Sequence, residues 1–133
     1  MLLERPRHRF SVADYDRMIE SGILSEDHRV ELIRGEIVEK MSIGQLHAAC
    51  VMRLNRLFMR LFGDRVSVSV QGPVRLQDSE PEPDVALLVY RSDCYESAKP
   101  EAGDVLLLVE VAESSLEADR LIKLPIYAEN GIT

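Results

Sequence analysis

The sequence has little of what marks secreted or membrane-embedded proteins. Only Cys50 and Cys94 occur among 133 residues, which is too few for a disulfide framework. No stretch is long and apolar enough to cross a bilayer, and residues 1–10 are charged where a secretory signal would have its apolar core. The composition therefore predicts a cytoplasmic protein without a membrane partner.

Positive charge is also scarce, since 16 Lys and Arg residues stand against 23 Asp and Glu residues, for a net charge of −7. This excess repels polyanions and argues against a general nucleic-acid coat protein. It does not exclude a nuclease, because carboxylates clustered around metal ions contribute to the same excess. The chain also lacks repeats, low-complexity tracts and linkers, so its length and its 46% apolar content predict one domain over residues 1–133.

The first half of the chain predicts a helix, a hairpin and a longer helix. Ser11 is placed to cap a short helix. Two β-prone runs, 29–33 and 36–41, are joined by Arg34 and Gly35, which is typical of a tight hairpin. Apolar residues recur at helical spacing over 46–62, and Gly63 is placed to end that helix.

The second half predicts three strands and a last helix. Residues 66–70 alternate Val with Ser, as in a half-buried strand, whereas 85–90 and 105–111 are almost continuously apolar, as in central strands covered on both faces. The pair Ser114–Ser115 offers an N-cap to a helix that should kink or divide at Pro125. The expected class is α/β, specifically an α+β arrangement in which helices flank a mixed sheet.

Acidic residues stand at the ends of both apolar strands. Glu80, Glu82 and Asp84 precede the first, and Glu110 interrupts the second, where an ionised side chain is costly unless it is paired or bound to metal. Because hard cations prefer carboxylate oxygens, Asp84 and Glu110 could share one Mg²⁺ or Mn²⁺ ion. Lys123, on the following helix, could bring an ammonium group to the same place.

Each of these residues also has a structural interpretation. Asp84 could be a strand-entry carboxylate, and Glu110 could point outward or pair with a buried arginine. Lys123 is of a type usually solvated on helices, and a single histidine such as His47 is usually structural. Spacing alone does not choose between these interpretations.

Five short motifs follow one another along the chain: the segment 30–36, His47, Glu82-Pro83-Asp84, Val109-Glu110-Val111, and Asp119 through Lys123 to Tyr127. In this order they resemble the Uma-type restriction endonucleases of the PD-(D/E)XK nuclease superfamily. The usual superfamily lysine, two residues after the glutamate, is replaced here by Ala112, and the Uma-type branch carries its lysine on the next helix.

This resemblance implies a restriction-endonuclease-like core preceded by an N-terminal helix and hairpin. It also implies a magnesium ion on Asp84 and Glu110, a catalytic Lys123, and supporting roles for Glu31, His47 and Glu82. Members of the branch continue beyond the tyrosine helix, so the C-terminal strands are expected to be missing. An open sheet edge left by such a truncation would favour a homodimer.

Two functions from different classes follow. The first is a metal-dependent endonuclease that hydrolyses DNA phosphodiester bonds. The alternative is a catalytically silent nuclease-fold module that acts in dimerisation or protein interaction, which the altered lysine position and the acidic balance favour. A zinc protein is disfavoured, because no second His or Cys stands at ligand spacing.

Overall fold

The computed structural model describes residues 5–40, 44–112 and 117–133. The described residues form an α+β arrangement of three helices and two antiparallel sheets, in the order helix, hairpin, helix, three strands, helix. The elements are α1 (Val12–Glu20), β1 (Val30–Ile33), β2 (Glu36–Glu39), α2 (Gln45–Phe62), β3 (Val66–Val70), β4 (Val85–Val89), β5 (Val105–Val109) and α3 (Glu117–Glu129), with short 3₁₀ turns at Gly63–Arg65 and Ala102–Asp104.

Helix α1 begins where the sequence predicts. The Ser11 hydroxyl accepts a hydrogen bond from the Asp14 backbone N–H, and the Asp14 carboxylate accepts one from the Ser11 N–H, which completes a capping box. Val12 and Tyr15 then pack with Leu32 of β1 in one buried cluster. The helix thus covers the hairpin that carries Glu31.

The predicted hairpin is confirmed. Strands β1 and β2 pair antiparallel, with Ile33 opposite Glu36. Arg34 and Gly35 both have positive φ, at 48° and 79°, as a two-residue turn of the primed type requires. A Cβ atom at position 35 would lie 2.8 Å from the Cβ of Arg9, so the close approach of the N-terminal segment also demands glycine here.

Helix α2 is confirmed with nearly the predicted bounds, and it ends at Gly63 with φ 51°. Its buried face presents His47, Val51 and Phe58. Val51 and Phe58 pack with Val85 and Leu87 of β4, which anchors the helix to the sheet. His47, one turn earlier, is thereby held at the end of the sheet where β4 begins.

The longer sheet has the order β3-β4-β5 and is antiparallel throughout. β4 is buried and central, as predicted. The same prediction for β5 is wrong: among the described strands β5 lies at an edge, and Leu106 and Leu107 are 56% and 39% exposed. An apolar run shows that a strand tolerates burial, but not how many neighbours it has.

Helix α3 runs without interruption across Pro125, so the predicted division is not observed. The N-cap predicted at Ser114–Ser115 lies outside the described residues. Ile126 and Tyr127 pack with Ile33 of β1 and with Val74 in the segment between β3 and β4, which holds α3 against the hairpin and that segment. Among the described helices, none combines the length and apolar character needed to span a bilayer.

Candidate functional site

The antiparallel register brings Asp84 and Glu110 to the same end of the sheet. Val85 of β4 pairs with Val109 of β5, so Asp84, just before one strand, and Glu110, just after the other, occupy the next opposing positions. Each negative charge is felt by its neighbour, since Asp84 contributes to raising the pKa of Glu110. The two carboxylates predicted as a pair are therefore neighbours in space.

Asp84 is held by hydrogen bonds on both carboxylate oxygens. His47 Nε2 lies 2.9 Å from Oδ1, and the Val111 backbone N–H donates to Oδ2 over 2.7 Å. The Asp84 carbonyl also accepts from the Gln71 N–H at 3.0 Å. Three different segments thus fix this one residue, which is 9% exposed.

His47 is buried on the first turn of α2, and its Nδ1 atom has no hydrogen-bond partner among the described residues. Because Asp84 needs a donor, the proton belongs on Nε2. The geometry therefore assigns His47 as a donor that orients Asp84.

Glu110 lies among groups that act on its charge in opposite directions. Burial raises its pKa to about 7, and the charges of Asp84 and Glu31 add to that rise. The Lys123 ammonium, with Nζ 3.5 Å from Oε1, and the Tyr127 hydroxyl, which donates to Oε1 over 2.6 Å, act to lower it. This carboxyl group is consequently poised to change its charge near neutral pH.

Lys123 is 4% exposed and lies between two carboxylates. Its Nζ is 2.7 Å from Glu31 Oε1 and 3.5 Å from Glu110 Oε1. Lys123 and Tyr127 stand four residues apart on α3 and therefore reach Glu110 from one helix face. The helix position predicted for the lysine does bring its ammonium group to the carboxylates.

Glu31 of β1 joins the hairpin to this cluster. Its Oε1 accepts from Lys123 and, at 2.8 Å, from the Glu82 backbone N–H. The Glu82 side chain takes a different direction and pairs with Lys40, just beyond β2. The structure thus brings together Glu31, His47, Asp84, Glu110 and Lys123, whereas Glu82 contributes its backbone N–H and its carboxylate lies with Lys40.

Another buried carboxylate, Glu80, belongs to a separate cluster. Lys99 Nζ lies 2.8 Å from both Glu80 Oε2 and Asp16 Oδ1, which ties the segment before β4 to α1. Burial raises the pKa of Glu80 to about 7. The alternating carboxylates before β4 are thus divided among Lys99, Lys40 and His47, a division that spacing did not reveal.

Sequence reasoning gave no role to Tyr127, although it noted the residue in the last motif. The available signal was its spacing of four from Lys123, which places both side chains on one face of a helix. The hydrogen bond to Glu110 depends on how α3 packs on β5. No local pattern specifies that packing.

The cluster carries more negative than positive groups. Three carboxylates, Glu31, Asp84 and Glu110, accompany one ammonium, that of Lys123, so full ionisation leaves an excess of two negative charges. Within residues 5–40, 44–112 and 117–133, no group of three or more His, Cys, Asp or Glu side chains is placed to hold a metal ion. Mg²⁺ commonly uses one or two carboxylates and keeps several waters, so Asp84 and Glu110 fit that smaller ligand set.

The chain matches one known protein family. A family model described as "Uma2: Putative restriction endonuclease" matches residues 12–133, which include every helix and strand described above. A search of curated proteins found no match.

Proposed function

The chain belongs to the Uma2 family and has its restriction-endonuclease-like fold, and from this premise we propose that it is a divalent-metal-dependent endonuclease that hydrolyses DNA phosphodiester bonds. One observation supports the proposal above the others: Lys123 is buried between Glu31 and Glu110, at the sheet end where Asp84 stands opposite Glu110. A buried ammonium among three carboxylates is costly to assemble, which supports a functional role for the cluster.

Asp84 and Glu110 would hold Mg²⁺ or Mn²⁺. When bound, such an ion supplies Lewis-acid polarisation of the phosphate and a more acidic water molecule. His47 and the Val111 N–H keep the Asp84 carboxylate in one orientation, and the Tyr127 hydroxyl does the same for Glu110. These contacts hold both carboxylates in place before substrate arrives.

Lys123 is proposed as the catalytic cation. Its ammonium is anchored by Glu31 at 2.7 Å, which leaves it close to Glu110 without a tight pair there. From that place it would stabilise the negative charge that develops on the phosphate oxygens or orient the attacking water. Glu31 is then a positioning residue, because it acts through Lys123.

The test measures metal binding and cleavage separately. Asp84→Asn and Glu110→Gln each remove a negative ligand with little change of shape, so both should abolish Mg²⁺- or Mn²⁺-dependent cleavage of DNA and weaken Mn²⁺ binding by about tenfold or more. Glu96→Gln, at an exposed position outside the cluster, serves as the matched control. Cleavage that survives both site variants, or persists in chelator, would refute the assignment.

The second candidate is a catalytically silent module that acts in dimerisation or protein interaction. The exposed Leu106 and Leu107 of β5 favour it, since apolar residues on a strand edge are suited to a partner. Absence of both Mn²⁺ binding and cleavage in an unaltered protein that forms dimers in solution would favour this alternative over the nuclease. The proposal further includes one domain over residues 1–133, a homodimer, and a location in the cytoplasm.

A further inference from the structure

A cavity of about 720 Å³ lies between α1, the loop before β1 and the open end of the β1–β2 hairpin. Its volume falls in the range of small-ligand pockets and exceeds what one nucleoside needs. Arg29 and Lys40 stand opposite each other at the hairpin end, where the Lys40 N–H donates to the Arg29 carbonyl over 2.8 Å, and both line the cavity.

The inner wall of the cavity is built from residues that also hold the carboxylate cluster. Glu82 lines the cavity, and its backbone N–H is bonded to Glu31. Gln71 lines it too, and its N–H is bonded to the Asp84 carbonyl. Through these two backbone contacts, the cavity wall is joined directly to Glu31 and Asp84 of the carboxylate cluster.

The cavity lining combines apolar and polar surface. Tyr15, Leu24 and Val30 supply apolar surface, and Gln71 and Glu82 are among the residues that supply hydrogen-bonding groups. A nucleobase has the same division, with apolar faces and a polar edge that carries donors and acceptors. The Gln71 amide offers one donor group and one acceptor, while the Glu82 carboxylate, whose Oε1 pairs with Lys40, has a second oxygen that can accept.

Gln71 is held in an unusual backbone conformation at this wall, with φ 54°. Left-handed backbone is unfavourable for a residue with a long side chain, and glycine would adopt it more readily. Gly72 follows immediately, so the chain has a more permissive residue one position away. A contact between the Gln71 amide and a ligand would give the side chain at this strained position a function.

We propose that this cavity receives one unpaired nucleobase beside the phosphodiester that is cut, so that the substrate is DNA with an unpaired nucleotide rather than continuous duplex. The inference rests on the proposed function for its choice of DNA. A paired base cannot enter such a space, because its polar edge is occupied and its faces are stacked. Arg29, exposed at the rim, then faces the flanking phosphate.

The test is a binding measurement without metal, so that no cleavage occurs. The probes are a short DNA duplex carrying one unpaired 2-aminopurine and the same duplex with that base paired to thymine. The unaltered protein should bind the unpaired probe about tenfold more tightly and change its 2-aminopurine fluorescence. Equal affinity for both probes with no fluorescence change overturns the inference.

Two variants locate the bound base. Leu24→Trp fills the cavity and should bring the two affinities within about twofold, whereas Leu61→Trp, on an exposed position of α2, should leave the preference intact. Gln71→Gly removes the amide at a position where glycine suits the backbone, so it should fold normally and also lose the preference. A preference that survives both cavity variants in folded protein places the base elsewhere.

The results separate this inference from the proposed function. Metal-dependent cleavage with no preference for the unpaired probe would overturn the base site and leave the nuclease assignment intact. A cavity-dependent preference in a protein that never cleaves would support the base site and overturn the nuclease assignment.

Discussion

Tyr127 controls the charge of Glu110 in a way that a pH profile can measure. Its hydroxyl donates to Glu110 Oε1 over 2.6 Å and acts to lower the pKa of that carboxyl, which burial raises to about 7. Metal binding needs the ionised form, so Mn²⁺ affinity should rise with pH through about 7. Protonation of Glu110 is thus expected to limit metal binding at low pH.

Tyr127→Phe should move this limit to higher pH. The variant loses a hydrogen bond that favours the charged carboxylate, so the pKa of Glu110 rises further and the acid limb of the Mn²⁺-binding and rate profiles shifts upward. At pH values well above the new limit, activity should recover toward that of the unaltered protein. A uniform loss at every pH would indicate a merely structural role. Tyr90→Phe, at an exposed position, is the control.

Glu110 should also make the fold less stable at high pH. Its pKa is about 7 in the folded chain against an ordinary value of 4.5, so the folded state binds the proton more tightly. Stability from this group is therefore present below pH 4.5 and is lost as pH rises through about 7. The difference between these two pKa values corresponds to about 3 kcal/mol in the free energy of unfolding.

Glu110→Gln should remove that dependence. Relative to the variant, the unaltered protein should lose about 3 kcal/mol between pH 4.5 and pH 8 in metal-free denaturant titrations. Glu80 also titrates near pH 7 but is present in both proteins, so its contribution cancels in the difference. Added Mn²⁺ should restore stability to the unaltered protein alone. Parallel stability curves for the two proteins would contradict the high pKa.

At the scale of elements, one buried ion pair joins α3 to β1. Lys123 and Glu31 are both buried and lie 2.7 Å apart. Removing one partner leaves an uncompensated buried charge, so Lys123→Met should cost about 3 kcal/mol in the free energy of unfolding. Glu31→Gln added to that variant should restore most of the loss, since the remaining polar group is neutral.

Activity separates the two roles of this pair. Both Lys123→Met and the double variant should lack cleavage if the ammonium is catalytic, although only the single variant is destabilised. Denaturant titration of the two variants, alongside rates at saturating Mg²⁺, checks this expectation. Recovery of cleavage together with stability in the double variant would show that Lys123 serves the fold alone.

The elements also show what the sequence can predict. Local patterns located α1, the hairpin and α2, because capping residues, the Arg34-Gly35 turn and a helical period are each contained within a few residues. They did not reveal that Glu80, Glu82 and Asp84 have three different cationic or histidine partners, since those partners come from distant segments. The edge position of β5 was missed for the same reason.

The site was predictable at the level of residue choice but not of geometry. Glu110 stood out because a carboxylate among apolar residues needs a partner. The resemblance of the motifs, rather than spacing, selected Lys123, and the packing of α3 on the sheet then brings Tyr127 to Glu110. Contacts between residues that are distant along the chain cannot be read from the local periodicity of the sequence.

At the scale of the whole molecule, the expected homodimer can be tested at β5. Among the described strands β5 has a free edge, and Leu106 and Ile122 of α3 are both more than half exposed. Pairing of two such edges about a twofold axis would satisfy the free backbone groups and cover these side chains. Light scattering should then give twice 15.1 kDa.

Leu106→Lys should weaken the dimer by about tenfold or more, because it places two like charges in a dry interface. Ile23→Lys makes the same change at an exposed loop position and should leave the mass unchanged. A mass of 15.1 kDa for the unaltered protein at high concentration would contradict the dimer.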